Sequence, residues 1–61
     1  MTQLLTLEEV AQRLRVPIRT LYAMRTKGTA PRGIRVGRHV RVDERDLDAW
    51  LDAHADQPKA A

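Results

Sequence analysis

Pro17 constrains this chain more than any other residue. It divides the first half into two short helices joined by a tight turn. A proline disfavours helical geometry at the residue before it, so a helix arriving from the N-terminal side must stop near Arg15-Val16. The start of that helix is equally well marked. Thr6-Leu7-Glu8-Glu9 is a capping box: the Thr6 hydroxyl can accept from the amide three residues on, and the Glu9 carboxylate can reach back to the Thr6 amide. Leu5 and Val10 stand at the two positions of a hydrophobic staple. Leu7, Val10, Ala11 and Leu14 fall on one face at three-four spacing. A proline is well tolerated at a helix start, so Pro17 opens a second helix running to about Lys27, with Gly28 as a left-handed cap.

Two short helices around a three-residue turn form a helix-turn-helix or an ordinary αα-hairpin. Spacing does not separate the two, but charge does. Between Arg15 and Arg41 there are eight basic residues and no acid. Residues 1–42 hold nine bases and two acids, a net +7, and residues 43–61 hold two bases and six acids, a net −4. A solvated surface usually intersperses the two signs. Segregation of this kind is the electrostatic footprint of a polyanion binder. Arginine outnumbers lysine nine to two. That bias suits bidentate contacts to phosphate and guanine, and a GC-rich genome would produce it equally well.

After the loop Gly28 to Gly33, Ile34-Arg35-Val36 and Val40-Arg41-Val42 read as a β-hairpin. A two-residue loop, Gly37-Arg38, would place apolar and charged residues on one face throughout. A three-residue loop, Gly37-Arg38-His39, pairs Val36 with Val40 and Ile34 with Val42 on one face, and Arg35 with Arg41 on the other. The second register is expected. Opposed arginines repel, so either a phosphate lies between them or one snorkels toward an acid of the last helix. Asp43 caps a third helix, about Glu44 to Ala55, with Asp46 in the first turn. Leu47, Trp50, Leu51 and His54 form its core-facing stripe, with Trp50 expected against Val10, Leu21 and Leu51. Asp56 to Ala61 reads as a disordered tail. The domain is therefore 1–55, with 56–61 as the tail, and the fold class is α+β: a small winged helix-turn-helix in the order helix, helix, hairpin, helix.

With Leu21, Ile18 and Met24 turned inward, Arg19, Tyr22, Ala23 and Thr26 point away from the core, with Thr20 and Lys27 at the edge. Arginine can read guanine, threonine and alanine can touch a thymine methyl, and tyrosine can reach a phosphate. Tyr22 also suits a half-buried rim position. Arg25 lies within the apolar arc and is expected in an ion pair with the third helix. The hairpin tip Gly37-Arg38-His39 suits the backbone or the minor groove. The expected DNA contacts are thus Arg19, Thr20, Tyr22, Ala23, Thr26, Lys27, Arg35, Arg38, His39 and Arg41.

Other classes are set aside on composition. The chain has no cysteine and no serine, and His39 and His54 are far apart in sequence. No metal site, cofactor or catalytic centre is expected. No apolar run reaches membrane length and nothing at the start reads as a signal peptide, so a cytoplasmic, nucleoid-associated location in a bacterial host is expected. The chain carries no spare amphipathic helix for a coiled coil, so a monomer in free solution is expected. On DNA, the acidic third helix of one protomer would meet the basic hairpin of the next, head to tail. Asp48 and Asp52 serve either that contact, a partner's basic surface, or solubility alone.

The stretch Leu5-Thr6-Leu7-Glu8-Glu9-Val10-Ala11, with Thr20-Leu21-Tyr22, Gly28, Val36-Gly37-Arg38, Val40-Arg41-Val42 and Asp46-Leu47-Asp48-Ala49-Trp50-Leu51, resembles the excisionase family of MerR-like winged helices over about residues 4–52. The resemblance implies a recombination directionality factor: a small phage or plasmid protein that binds tandem DNA sites, bends DNA and directs a tyrosine integrase toward excision. Larger MerR-type regulators append a dimerisation helix and an effector pocket. Neither follows the third helix here, which fits a freestanding architectural factor. A small transcriptional regulator of the same fold is the alternative. Ala23 departs from the longer polar residue common in the family and shifts weight from base reading to wing and phosphate contacts.

Overall fold

A computed structural model describes residues 3–55 of the chain. The elements run β1 (Leu4–Thr6), α1 (Leu7–Leu14), α2 (Ile18–Lys27), β2 (Ile34–Val36), β3 (His39–Asp43) and α3 (Glu44–Ala53). The three strands form one antiparallel sheet in the order β1-β3-β2. The result is the α+β winged helix-turn-helix expected from sequence. Residues 56–61, read above as a tail, lie outside the described residues. Among the described residues no helix is long and apolar enough to cross a membrane.

Each helix starts where the local chemistry places it. The Glu9 amide donates to the Thr6 hydroxyl at 3.0 Å and the Thr6 amide donates to the Glu9 carboxylate at 2.9 Å, so the capping box is complete. Asp43 accepts from the Arg45 amide at 2.8 Å to cap α3. Pro17 caps α2 from just outside it, with its carbonyl accepting from the Thr20 amide at 2.9 Å. Gly28 ends α2 at φ 75°. The turn between the helices is made by Arg15 at φ 58°, left-handed without being glycine. Such a residue is uncommon there and carries some strain. The Val16 amide closes the turn by donating to the Ala11 carbonyl at 3.0 Å.

Strand β1 is an addition to the sequence reading. Leu4 to Thr6 is too short to show a period, and its pairing with β3 is non-local. Leu5 stands opposite Val42, and both are buried. Thr6 and Asp43 thus end antiparallel strands and launch α1 and α3 from opposite ends of the sheet. Helix α1 has eight residues, about 12 Å at 1.5 Å each, enough to return to the far end. There the Arg13 guanidinium meets the Glu44 carboxylate at 3.0 Å.

The core comprises Leu5, Val10, Ala11, Leu21, Val42 and Leu47, with Leu7, Leu14, Val16, Ile18 and Ala30 packed around it. Cutting Leu5, Leu21 or Leu47 to alanine removes about 2–5 kcal/mol, a large share of what so small a domain holds. The third helix contributes only Leu47 to this core. The expectation for Trp50 and Leu51 is corrected: Leu51 is 42% exposed, and Trp50 is half-buried outside the cluster. With ten residues, α3 touches the sheet chiefly through its first turns. Trp50 instead stacks on His54, with ring centroids 4.3 Å apart.

The hairpin register is also corrected. Val36 pairs with His39, Arg35 with Val40 and Ile34 with Arg41, which is the two-residue Gly37-Arg38 loop. Gly37 has φ 60° and Arg38 does not have a positive φ, the pattern of a type II′ turn with glycine first. Arg35 and Arg41 are therefore on opposite faces and do not oppose each other. Hydrophobic patterning dictates register only where a strand has a core to face. In the observed register Ile34 and Val36 share the sheet face of Arg41, opposite the core-facing side of Leu5 and Val42, so they stay exposed at 37% and 46%. The turn geometry decides instead.

Candidate nucleic-acid interface

Leu21 is the one fully buried residue of α2. Its inward position turns Arg19, Tyr22, Ala23, Thr26 and Lys27 into solvent, leaving Thr20 half-buried at the edge. Spacing of three to four residues keeps this outer face continuous along the helix. The Thr26 hydroxyl donates to the Tyr22 carbonyl at 3.1 Å. Its proton is thereby held by the helix backbone, and its methyl group is the part left to meet a partner. Tyr22 is 50% exposed, so of its two readings the solvent-facing one holds.

The hairpin carries Arg35, Arg38 and His39 exposed and Arg41 half-buried. The Arg41 guanidinium donates to the Val40 carbonyl at 3.1 Å, which holds its side chain along its own strand. Arg35 shares the face of Val40. Arg41 lies on the other face, with Thr6 and Ile34 as its two cross-strand neighbours.

An open groove of about 500 Å³ separates the hairpin from the helices. Its walls are the start of α1 (Thr6, Leu7, Glu8), Tyr22 and Arg25 of α2, and residues 38–41 of the hairpin. Of the residues proposed from sequence, Tyr22, Arg38, His39 and Arg41 meet in this groove. Arg19, Thr20, Ala23, Thr26, Lys27 and Arg35 do not line it.

Arg25 is the residue that sequence reasoning misassigned. It forms no ion pair with α3. It is exposed and lines the groove. Its helix does not pack closely on α3, and the α3 acid Glu44 pairs with Arg13 of α1 instead. The signal was present, because Arg25 stands three residues after Tyr22 and so shares its stripe. Gly33 leaves room for Val40 within the hairpin. A Cβ there would sit 2.9 Å from Val40 Cγ1 and 3.9 Å from Arg25 Nη2.

The groove's acidic side is quieter. Glu9 sits beside it with its carboxyl below the usual carboxylate range. The Thr6 amide hydrogen bond is the largest cause, followed by the Thr6 hydroxyl, with Arg13 and Arg41 adding favourable charge. Glu8 is on the rim, exposed and in no ion pair among the described residues.

The sequence matches a family described as the helix-turn-helix domain over residues 4–55. It is also 46% identical over 57 residues to the uncharacterized protein YvgK of Bacillus subtilis (strain 168), an alignment covering 92% of this chain and 18% of YvgK. The chain thus spans about a fifth of that relative's length. No solved structure matches it. From Leu4 to Ala55 the chain belongs to the helix-turn-helix domain family, whose members are typically non-enzymatic and whose fold supports DNA binding.

Proposed function

We propose that this protein binds duplex DNA in a sequence-dependent way, with α2 in the major groove and the β2–β3 hairpin against the flanking backbone or minor groove. One observation carries the reading: Tyr22 and Arg25 of α2 and the basic hairpin tip line one groove, and all of them lie within the acid-free segment of the chain. Helix-turn-helix proteins use the second helix to reach base edges. Arg19 then reads guanine, and Thr20, Ala23 and Thr26 offer small apolar contacts to thymine methyls. Tyr22, Lys27, Arg35, Arg38, His39 and Arg41 contact phosphates or the minor groove. Binding should weaken steeply with salt, by a log–log slope on the order of one per phosphate neutralised. An affinity that does not change with salt would reject the reading.

The finer role is that of a directionality factor: binding tandem sites head to tail, bending DNA and steering a tyrosine integrase toward excision, in the nucleoid of a bacterial host. The resemblance to excisionases supports this reading. A second reading, the DNA-reading module of a transcriptional regulator, is favoured by one observation. In YvgK the matching segment is only 18% of the protein. DNase I footprinting separates the two. Tandem protection with hypersensitive sites at bends belongs to the first, and a single operator or an inverted repeat belongs to the second.

A further inference from the structure

We propose that Arg25 and Arg38, which line one groove from α2 and from the hairpin, form a seat for a single phosphate group, supplied in use by one DNA backbone phosphodiester. This rests on the DNA-binding reading and adds Arg25 to it. Three arginines line the groove, and they are not equivalent. Arg41 gives a guanidinium N–H to the Val40 carbonyl and lies in the field of Glu9. Neither the Arg25 nor the Arg38 guanidinium has a hydrogen-bond or ion-pair partner among the described residues. Both are exposed, so their charge is solvated rather than unsatisfied. Two unneutralised guanidiniums in one concave site still raise the local potential for anions, and the planar fork of each suits phosphate oxygens. Tyr22 stands one turn before Arg25 and lines the same wall, within reach of a further hydroxyl contact.

Gly33 lies beside this seat: a Cβ there would meet Val40 Cγ1 on the adjoining strand of the same hairpin at 2.9 Å and would come into ordinary contact with Arg25 Nη2 at 3.9 Å. Glu8 is on the opposite rim, so the anion belongs at the arginine end. Neutralising Glu8 should strengthen the seat.

The test is a salt titration of binding to a random-sequence duplex, read by fluorescence anisotropy, for the natural protein, Arg25→Ala, Arg38→Ala, the double variant and Glu8→Gln. Each single arginine variant should bind about tenfold more weakly, alike on all sequences, with the salt slope reduced by about one. Because the two share one phosphate, the double variant should also lose about one from the slope. A loss of about two would assign the arginines to separate phosphates and overturn the shared seat. An unchanged slope in Arg25→Ala would remove Arg25 from it altogether. Glu8→Gln should bind more tightly on every sequence, and a loss of affinity would count against the placement. A second arm uses pyrophosphate, followed by NMR. It should shift the backbone amides around Arg25 and Arg38 in the natural protein and not in Arg25→Ala. Shifts without any duplex binding would leave the seat standing and reject DNA as its source. Absence of both would reject the seat as well.

Discussion

The indole N–H of Trp50 donates to the Thr29 carbonyl at 3.0 Å, lacing α3 to the loop that follows α2. It adds to the two other ties between the last helix and the helix-turn-helix, the Arg13–Glu44 ion pair and the buried Leu47. Trp50→Phe keeps an aromatic ring beside His54 and removes the donor. It should cost about 0.5–1.5 kcal/mol, the net worth of one hydrogen bond. Trp50→Ala should cost more, yet less than the about 3–5 kcal/mol typical of a fully buried aromatic. Urea denaturation of both variants checks the order. Equal losses would mean that the ring contributes nothing beyond the bond.

Gly33→Ala should destabilise the domain by about 1–3 kcal/mol, the usual range for an overpacked site. Val40 is the neighbour that must give way. Val40→Ala in the same chain should therefore recover much of the loss, giving a favourable coupling in a double-mutant cycle. Strict additivity would show that the Val40 contact is not the source of the loss.

Thr6→Ala removes one half of the capping box and should cost about 1 kcal/mol. Glu9 adds a pH dependence whose sign follows from its lowered folded pKa. The carboxylate's contribution is present above the ordinary carboxylate range and is lost as pH falls through the depressed folded value. Glu9→Gln should flatten the acid limb of a stability profile measured from pH 7 to pH 3. The effect should be small and should shrink in salt, since the group is fully exposed to solvent.

Arg19→Ala should narrow the gap between specific and random DNA by roughly 1–3 kcal/mol if Arg19 reads a guanine. Competition binding with shuffled sequences measures this directly. Equal weakening on both kinds of DNA would make Arg19 a phosphate contact and leave base reading to the small residues beside it.

Asp48 and Asp52 are exposed on α3, away from the groove. If protomers line up head to tail on DNA, reversing both to lysine should reduce cooperativity on a two-repeat fragment more than affinity for one site. Independent filling of adjacent sites by the natural protein, or a stable dimer without DNA, would favour the regulator reading.

The helix boundaries were legible in the sequence. Thr6 and Glu9 cap one helix, Gly28 ends the next, Asp43 starts the third, and Pro17 with the Arg15-Val16 turn separates the first two. Each of these signals acts within a few residues, so no tertiary information is needed to read it. The outward face of α2 followed the same way, from the buried position of Leu21 and the helical period. The tertiary structure decided what depends on having a neighbour. Leu4 to Thr6 became a strand because β3 passes beside it. Ile34 and Val36 were left outside because they share the sheet face of Arg41, opposite Leu5 and Val42, and the Gly37 turn rather than apolar pairing set the register. Leu47 is the α3 residue that enters the core, while Leu51 is left exposed and Trp50 packs outside the cluster. Arg25 lost its expected acid because α3 packs on β3, while α2 faces the hairpin across an open groove. Periodicity says which residues share a face, and only packing says what that face meets.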